Sequence, residues 1–186
     1  FEITNPTTTT TPMTSVYSQD GIDLYTNSTL SSLGTNSFKG GEDGLVAASY
    51  YHIKSTALVS GIRVMLANGT LAGAEVYGSI KDTSLFWAGD MTSMFVTDAS
   101  PLAITVNATD ITNGYKDLLF LAPITLNPGV YYAAIEMYSS GNTFDIRILD
   151  DETVAQPFDA SAIYIPGDQS YTNGTALGIR MLMGDQ

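Results

Sequence analysis

Hydrophobic and polar residues alternate with a period of two along several stretches of the chain. In the segment that begins at Ala57, Ile62 and Val64 fall on one side, and Arg63 and Met65 fall on the other. The same alternation runs through residues 73–81, 130–138 and 144–148. Because successive side chains of a β-strand point to opposite faces, this pattern predicts strands that are packed on one face and hydrated on the other.

Weaker strand patterns and turn-forming pairs fill most of the remaining chain. Further strands are predicted at residues 14–18, 22–26, 45–53, 91–97, 103–106, 118–121, 160–165 and 176–182, and one helical turn is predicted at residues 109–112. Asn-Gly and Pro-Gly pairs between the strands are typical of tight turns. About ten short strands at this spacing predict an all-β fold, an antiparallel β-sandwich of jelly-roll type, with a barrel as the alternative.

The N-terminal residues have the composition of a linker. Residues 5–15 read NPTTTTTPMTS, a threonine run between Pro6 and Pro12, which favours an extended chain without a core of its own. We therefore predict an extended arm over residues 1–16 and a single β-sandwich domain over residues 17–186. The chain begins at Phe1 and not at Met, as expected of a processed or excised form.

Charge and composition narrow the class of protein. The 186 residues include 7 Lys and Arg against 19 Asp and Glu, and this formal net charge of −12 disfavours a nucleic-acid partner. No run of about 18 apolar residues is present, so no membrane span is predicted. The chain has no cysteine, which excludes disulfides and thiolate nucleophiles. Abundant Thr, Ser, Asn and Gly favour an extracellular or cell-surface location.

Two sets of residues were considered for catalysis. His52 is the only histidine, and no GxSxG motif supplies it with a serine nucleophile, so we interpret it as structural or exposed. Glu75 and Glu136 lie on polar positions of predicted strands and could flank a sugar as a glycosidase pair does. We favour the alternative that they are solvated and form cross-strand charge pairs, so the chain is predicted not to be an enzyme.

Acidic loop segments raise the question of a metal ion. Residues 150–152 read DDE, and further carboxylates lie in residues 20–23 and 42–43. Calcium requires six to eight oxygen ligands, which loops of a secreted sandwich can provide. None of these runs has the spacing of an EF-hand loop, so no cofactor is predicted and a structural calcium site remains an alternative to solvated loops.

Aromatic side chains offer a second kind of site. Trp87, the only tryptophan, lies in the segment SLFWAGD, which has the composition of a loop. Its flat face could stack on a sugar ring, or it could close one end of the core. Tyr77 and Tyr132 share the polar side of their predicted strands and are further candidates for glycan stacking.

Several positions are candidates for glycosylation. The N-x-S/T sequence occurs at Asn27, Asn68, Asn107 and Asn173. In the threonine run, Thr8, Thr9 and Thr10 are candidates for O-linked sugar.

Four segments resemble a known group of modules. They are Val59–Ile80, Asn113–Gly141, Phe144–Asp151 and Ala176–Gly184, and the likeness extends from Leu45 to Met183. These segments resemble the β-sandwich modules found near the C-terminal ends of large secreted proteins of Bacteroidetes-type bacteria, which are exported by type IX secretion. The resemblance implies a place at the cell surface and carries over no catalytic residue.

The apolar residues of the N-terminal arm favour one of the remaining functions. Its apolar residues Phe1, Ile3, Met13 and Val16 could dock along a sheet edge of a neighbouring copy and form main-chain hydrogen bonds there. Repeated head to tail, such a contact builds an open filament. We therefore predict a non-enzymatic structural or adhesive module of a cell-surface fibre, whose partners are copies of itself or neighbouring domains. The alternatives are a carbohydrate-binding module of a secreted multidomain protein, with glycans as partners, and a sandwich glycosidase.

Overall fold

Antiparallel strands form nearly all the regular structure of the chain. The computed structural model describes residues 15–24, 26–97 and 104–184. In chain order its elements are β1 (Ser15–Tyr17), β2 (Leu30–Gly34), β3 (Asp43–Ile53), β4 (Ala57–Met65), β5 (Glu75–Lys81), α1 (Thr83–Trp87), β6 (Ser93–Val96), β7 (Ile104–Thr105), α2 (Ala108–Asn113), β8 (Tyr115–Leu126), β9 (Gly129–Tyr138), β10 (Arg147–Asp151), β11 (Ser161–Tyr164), β12 (Ser170–Thr172), β13 (Ala176–Leu177) and β14 (Ile179–Met183).

The strands are arranged in two layers. One layer is a seven-stranded sheet, called here the large sheet, with the order β12-β11-β3-β9-β5-β6 and β7 also paired to β5. The other layer consists of a four-stranded sheet, β1-β14-β4-β8, and a three-stranded sheet, β13-β10-β2. An antiparallel bridge between Leu66 and Ile148 joins these two smaller sheets. The predicted all-β antiparallel sandwich is confirmed.

The main core lies between the two layers. The large sheet contributes the alternate residues that face inward, such as Ile135 and Met137 of β9. The four-stranded sheet contributes Ile62 and Val64 of β4. The inward sides of β4, β5 and β9 are those that the period-two pattern predicts, because the spacing of apolar residues in a strand decides which face is buried.

Local differences from the predicted elements concern short segments. A strand was predicted at residues 22–26, but Ile22, Asp23 and Leu24 form a turn. Backbone groups are satisfied there by side chains, since the Ile22 N–H donates to the Asp20 carboxylate over 3.1 Å. The predicted helical turn at residues 109–112 is confirmed as α2, which Asn107 caps. None of β2, α1 and β12 was predicted, and the strand predicted at residues 144–148 is β10, which begins at Arg147 and ends at Asp151.

A buried ion pair holds the first described strand against the sandwich. Arg180 of β14 binds the Asp20 carboxylate through two nitrogens, and its Nε lies 3.0 Å from Asp20 Oδ2. The Asp20 side chain is fully buried, and the Ser18 hydroxyl donates to it over 2.7 Å. The Tyr51 hydroxyl donates to the Ile179 carbonyl over 2.6 Å and lies 3.0 Å from the Tyr17 carbonyl. Burial raises the pKa of Tyr51.

The described end of the predicted arm belongs to this layer. Val16, a predicted assembly residue, is the middle residue of β1 and pairs with Leu182 of β14 in the same chain. β1 therefore crosses the predicted boundary between residues 16 and 17. The other predicted assembly residues, Phe1, Ile3 and Met13, lie outside the described residues, as do Thr8, Thr9 and Thr10.

Replacing Asp20→Ala should lower the free energy of unfolding by about 3–5 kcal/mol, because Arg180 would remain buried without a counter-charge. Urea denaturation followed by circular dichroism measures this change. Glu75→Ala, at an exposed carboxylate, is the matched control and should change the free energy of unfolding by less than about 0.5 kcal/mol. A loss below about 1 kcal/mol in Asp20→Ala would show that the ion pair does not hold this strand.

Candidate functional site

A short helix lies on the outer face of the large sheet. Asp82 begins α1 as its N-cap, in an extended conformation, and its carboxylate accepts the Leu85 N–H over 2.9 Å. Asp is a preferred N-cap because it satisfies a free backbone donor of the first turn. Five residues are too few for a helical hydrophobic period, which explains why the sequence pattern indicated a loop.

The helix is fixed by a second, smaller core on this outer face. Phe86 is fully buried against Ala48, Ala134 and Ala162 of three neighbouring strands. Its ring lies 5.0 Å from the Tyr132 ring, centroid to centroid. The three alanines leave the space that the Phe86 ring fills, so the outer face is covered here and not hydrated as predicted.

Lys81 anchors the loop that follows the helix. It was predicted to face solvent, but it is 1% exposed, and its Nζ donates to the Met91 carbonyl over 2.7 Å and to the Ser93 hydroxyl over 2.8 Å. Burial lowers the pKa of Lys81, while the carboxylates of Glu136 and Asp90 act in the opposite direction. The lysine therefore stabilises the loop from below and is not available to a ligand.

Trp87 is held in one orientation by hydrogen bonds. Its Nε1–H donates to the Tyr132 hydroxyl over 2.9 Å, and this hydroxyl donates to the Asp159 carbonyl over 2.6 Å. Burial raises the pKa of Tyr132 to about 12, so the hydroxyl remains a donor at neutral pH. The indole stacks on Phe158, with ring centroids 5.1 Å apart and an angle of 27° between the rings.

These side chains border a groove of about 600 Å³, called here the aromatic groove. Trp87 and Phe158 form its apolar part, and Phe158 is 67% exposed. The Thr172 hydroxyl donates to the Phe158 carbonyl over 2.5 Å and so fixes the backbone of this exposed aromatic. Phe158 was not predicted as a site residue, because it lies in a segment without strand periodicity and without any other local signal of a site.

The rim of the aromatic groove is polar. Thr83, Ser84 and Asp159 line it beside the aromatic rings, together with Tyr50 and Val130. An exposed aromatic face next to hydroxyl and carboxylate groups is complementary to a sugar, which has an apolar C–H face and hydroxyl groups around it. Among the described lining residues, Asp159 is the only one with an acidic side chain.

The other predicted stacking residues do not present a ring to this groove. Tyr132 is fully buried in its floor, so it positions Trp87 and is not accessible to a sugar. Tyr77 pairs with Glu136 and stacks on Tyr138, with ring centroids 6.1 Å apart. Because Lys81 of the same strand pairs with Tyr132, Tyr77 lies four residues, about 14 Å, along the strand from the groove.

Two of the residues considered for catalysis, Glu75 and Glu136, are diagonal neighbours on the outer face of the large sheet. Glu75 and Glu136 lie on adjacent strands, where Glu75 pairs with Tyr138, and the Glu136 carboxylate accepts the Tyr138 hydroxyl. Neither glutamate lines the aromatic groove. His52 is exposed at the end of β3, and within the described residues its side chain has no hydrogen-bonded carboxylate that would orient it as a base.

The acidic residues considered for calcium serve the backbone of nearby loops. Asp43 accepts the N–H groups of Ser139, Ser140 and Gly141 over 2.9–3.0 Å. Asp151 accepts the Gly21 N–H over 2.7 Å. In the part of the chain that the structure describes, no three His, Cys, Asp or Glu side chains form a group that could hold a metal ion.

The four predicted N-glycosylation sites differ in what their side chains do. Asn27 and Asn68 are exposed in turns. Asn107 is the N-cap of α2, and its side-chain oxygen accepts two backbone N–H groups. The nitrogen of Asn173, to which a glycan would be attached, donates to the Asp150 carboxylate over 2.9 Å, so this position is the least suited of the four.

Within the described residues, the structure contains no helix with the length and apolar character needed to cross a membrane. The structure is therefore that of an all-β sandwich with an aromatic groove on its surface.

Comparison with known proteins gives a likeness of fold. No family model matches the chain, and no curated protein matches it. The chain is similar to a crystal structure of the cysteine protease and lectin-like domains of Cwp84, a surface layer associated protein of Clostridium difficile, with a TM-score of 0.50 and 10% identity. The match covers 84% of this chain and 36% of that chain. None of these comparisons tests the resemblance to modules of Bacteroidetes-type proteins, which stays a prediction.

Asp150 gives the stability of the folded chain a pH dependence that can be measured. This residue is 5% exposed, its Oδ1 has no partner within the described residues, and burial raises its pKa above the ordinary value of 3.8. The folded state therefore binds this proton more tightly than the unfolded state, and ionisation of Asp150 costs stability as the pH rises through the window above 3.8.

Replacing Asp150→Asn should therefore raise the thermal unfolding midpoint at pH 7, and the gain should shrink as the pH is lowered to 3. Differential scanning calorimetry between these values measures it. Asp90→Asn is the control, because the pKa of Asp90 is shifted in the opposite direction: hydrogen bonds from Thr92 lower it. This variant should give no gain in the thermal midpoint at pH 7. A gain from Asp150→Asn that is independent of pH would contradict this account.

Proposed function

We propose that this chain is a non-enzymatic carbohydrate-binding module that gives an extracellular protein adhesion to a glycan surface. The observation that carries the proposal is the pair of stacked rings, Trp87 and Phe158, at the edge of the aromatic groove. The ligand is a saccharide that stacks its C–H face on this pair and hydrogen-bonds to Thr83, Ser84 and Asp159.

The orientation of Trp87 supports this use. Its only polar hydrogen is occupied by Tyr132, so the indole offers a ring face and no hydrogen bond to the ligand. The Phe86 ring, in an edge contact, and the Phe158 ring, which stacks on the indole, limit its rotation. A platform that is rigid before binding loses little conformational entropy when a sugar stacks on it.

The structural neighbour gives separate support. Cwp84 is described as a surface layer associated protein, and its crystal structure contains a lectin-like domain together with a cysteine protease domain. This chain has no cysteine, so it lacks the nucleophile of a cysteine protease. A lectin-like role at a cell surface agrees with the composition and with the aromatic groove.

Replacing Trp87→Ala or Phe158→Ala should weaken saccharide binding about tenfold or more, since loss of about 1.5 kcal/mol of stacking is a tenfold change in Kd. Isothermal calorimetry and affinity electrophoresis against cellulose, chitin, xylan, polygalacturonate and alginate fragments measure binding. Phe158→Ala is the more informative variant, because this exposed side chain contributes little to the core.

Tyr77→Ala is the matched control, an aromatic residue on the same sheet outside the groove, and it should leave binding unchanged. Binding that survives in Phe158→Ala and Trp87→Ala but is lost in Tyr77→Ala would place the glycan elsewhere. If none of these saccharides binds, the proposal is wrong.

Self-association through a sheet edge is a second candidate function. Among the strands that the structure describes, β8 has only β4 as a neighbour in the four-stranded sheet, and Leu121 on this edge strand is 84% exposed. An edge strand with exposed apolar side chains can accept a strand from another copy, such as the part of the predicted arm that precedes β1.

Sedimentation velocity over a range of concentrations should then detect species larger than the monomer, and Leu121→Lys should suppress them by placing a charge on the edge. A single monomeric species at the highest concentration, with no difference between the two proteins, would reject assembly through this edge.

A further inference from the structure

A second depression, called here the basic depression, adjoins the aromatic groove. It measures about 390 Å³ and is lined by Tyr50, His52 and Lys54 together with residues of the β1 end. Tyr50 also lines the aromatic groove, so the two depressions share a wall. Val130 of the aromatic groove pairs directly with His52, which shows that the two sites lie side by side on neighbouring strands.

The shared strand forms a row of side chains from one site to the other. Tyr50, His52 and Lys54 are separated by two residues each, so they follow one another on the outer side of β3 and its end, about 7 Å apart. Tyr50 is half-buried and borders the aromatic groove, while His52 and Lys54 are exposed. The row thus leads from an aromatic surface to the exposed ammonium group of Lys54.

The charge of the basic depression differs from that of the whole chain. None of its described lining residues is Asp or Glu, although the chain has 19 of them. Neither His52 nor Lys54 has a hydrogen bond or ion pair to any described side chain. In contrast, Arg63, Lys116 and Arg180 are engaged in ion pairs.

Polar groups complete the basic depression. Ser18 and Ser55 supply hydroxyl groups, and Gln19 lies beside them. The Gln19 amide nitrogen donates to the Tyr50 carbonyl, while its Oε1 is buried and has no partner within the described residues.

We infer that the ligand of the combined site is an acidic saccharide, one sugar of which stacks on Trp87 and Phe158 while a carboxylate or sulfate group of the same chain lies on His52 and Lys54. This inference rests on the proposed function. It adds the chemical class of the ligand and assigns Lys54 as the residue that selects it.

The net charge of −12 does not prevent this selection. Charges in salt solution are screened over about 8 Å at physiological ionic strength, so a bound acidic group responds mainly to the cations that touch it. Binding of the acidic saccharide should therefore weaken as salt is added, to a greater degree than binding of a neutral one.

Matched pairs of polymers test the inference. The probes are polygalacturonate and its methyl-esterified form, carboxymethyl cellulose and hydroxyethyl cellulose, and dextran sulfate and dextran. For at least one pair, the acidic member should bind the wild-type chain at least tenfold more tightly in affinity electrophoresis and calorimetry. Lys54→Gln should reduce this preference to less than threefold, and Lys54→Arg should retain it. Lys39→Gln, at an exposed lysine away from both sites, is the control and should change nothing.

The outcomes separate this inference from the proposed function. Neutral members that bind as tightly as acidic ones, and depend on Phe158, would overturn the acidic ligand and leave carbohydrate binding in place. An acidic preference that Lys54→Gln does not change would also overturn it. Lys54→Gln could also lower the thermal midpoint and leave binding unchanged. Lys54 would then stabilise the fold through a contact with the chain itself, and the inference would be rejected. If no polymer binds, both proposals fail.

Discussion

The packing of Phe86 onto three alanines is the contact on which the candidate site depends. Ala48, Ala134 and Ala162 leave a shallow space on the outer face of the large sheet, and the Phe86 ring fills it completely. Burying an aromatic side chain of this size stabilises the folded state by about 2–3 kcal/mol, which is enough to fix a helix of five residues that has no stability of its own. Larger side chains at the alanine positions would displace α1 and the indole that follows Phe86.

The other side chains at the groove hold Trp87 in place around the buried Phe86 ring. Tyr132, on the same face, uses its ring to pack on Phe86 and its hydroxyl to join Trp87 to the backbone at Asp159. From the other side, the Ser170 hydroxyl donates to the Phe86 carbonyl over 2.6 Å, and so ties β12 to the helix. Trp87 and Phe158 extend from this network toward solvent and form a rigid aromatic surface at the groove.

The sequence predicted the fold better than the site. The reason is that strand patterns are local in the sequence, whereas the site joins residues that are far apart in it. Alternation along β4, β5 and β9 reports burial of each strand by itself, so the sandwich and its inward faces could be predicted. The outer face could not, because Lys81 and Tyr132 are buried by a helix and loops whose position depends on contacts between distant residues. Asp82 was the only local signal for α1. Trp87 was recognised by its chemistry, whereas Phe158, 71 residues further along the chain, is brought to it only by folding.

The central claim is that a saccharide covers the indole of Trp87, and the single tryptophan makes this directly measurable. The wild-type chain is titrated with a saccharide whose binding has been established by calorimetry, while tryptophan emission is recorded. The account predicts a saturable shift of the emission to shorter wavelength, with the same Kd as calorimetry, because the ring loses contact with water. A saccharide that binds by calorimetry and leaves the emission spectrum unchanged at saturation would contradict it.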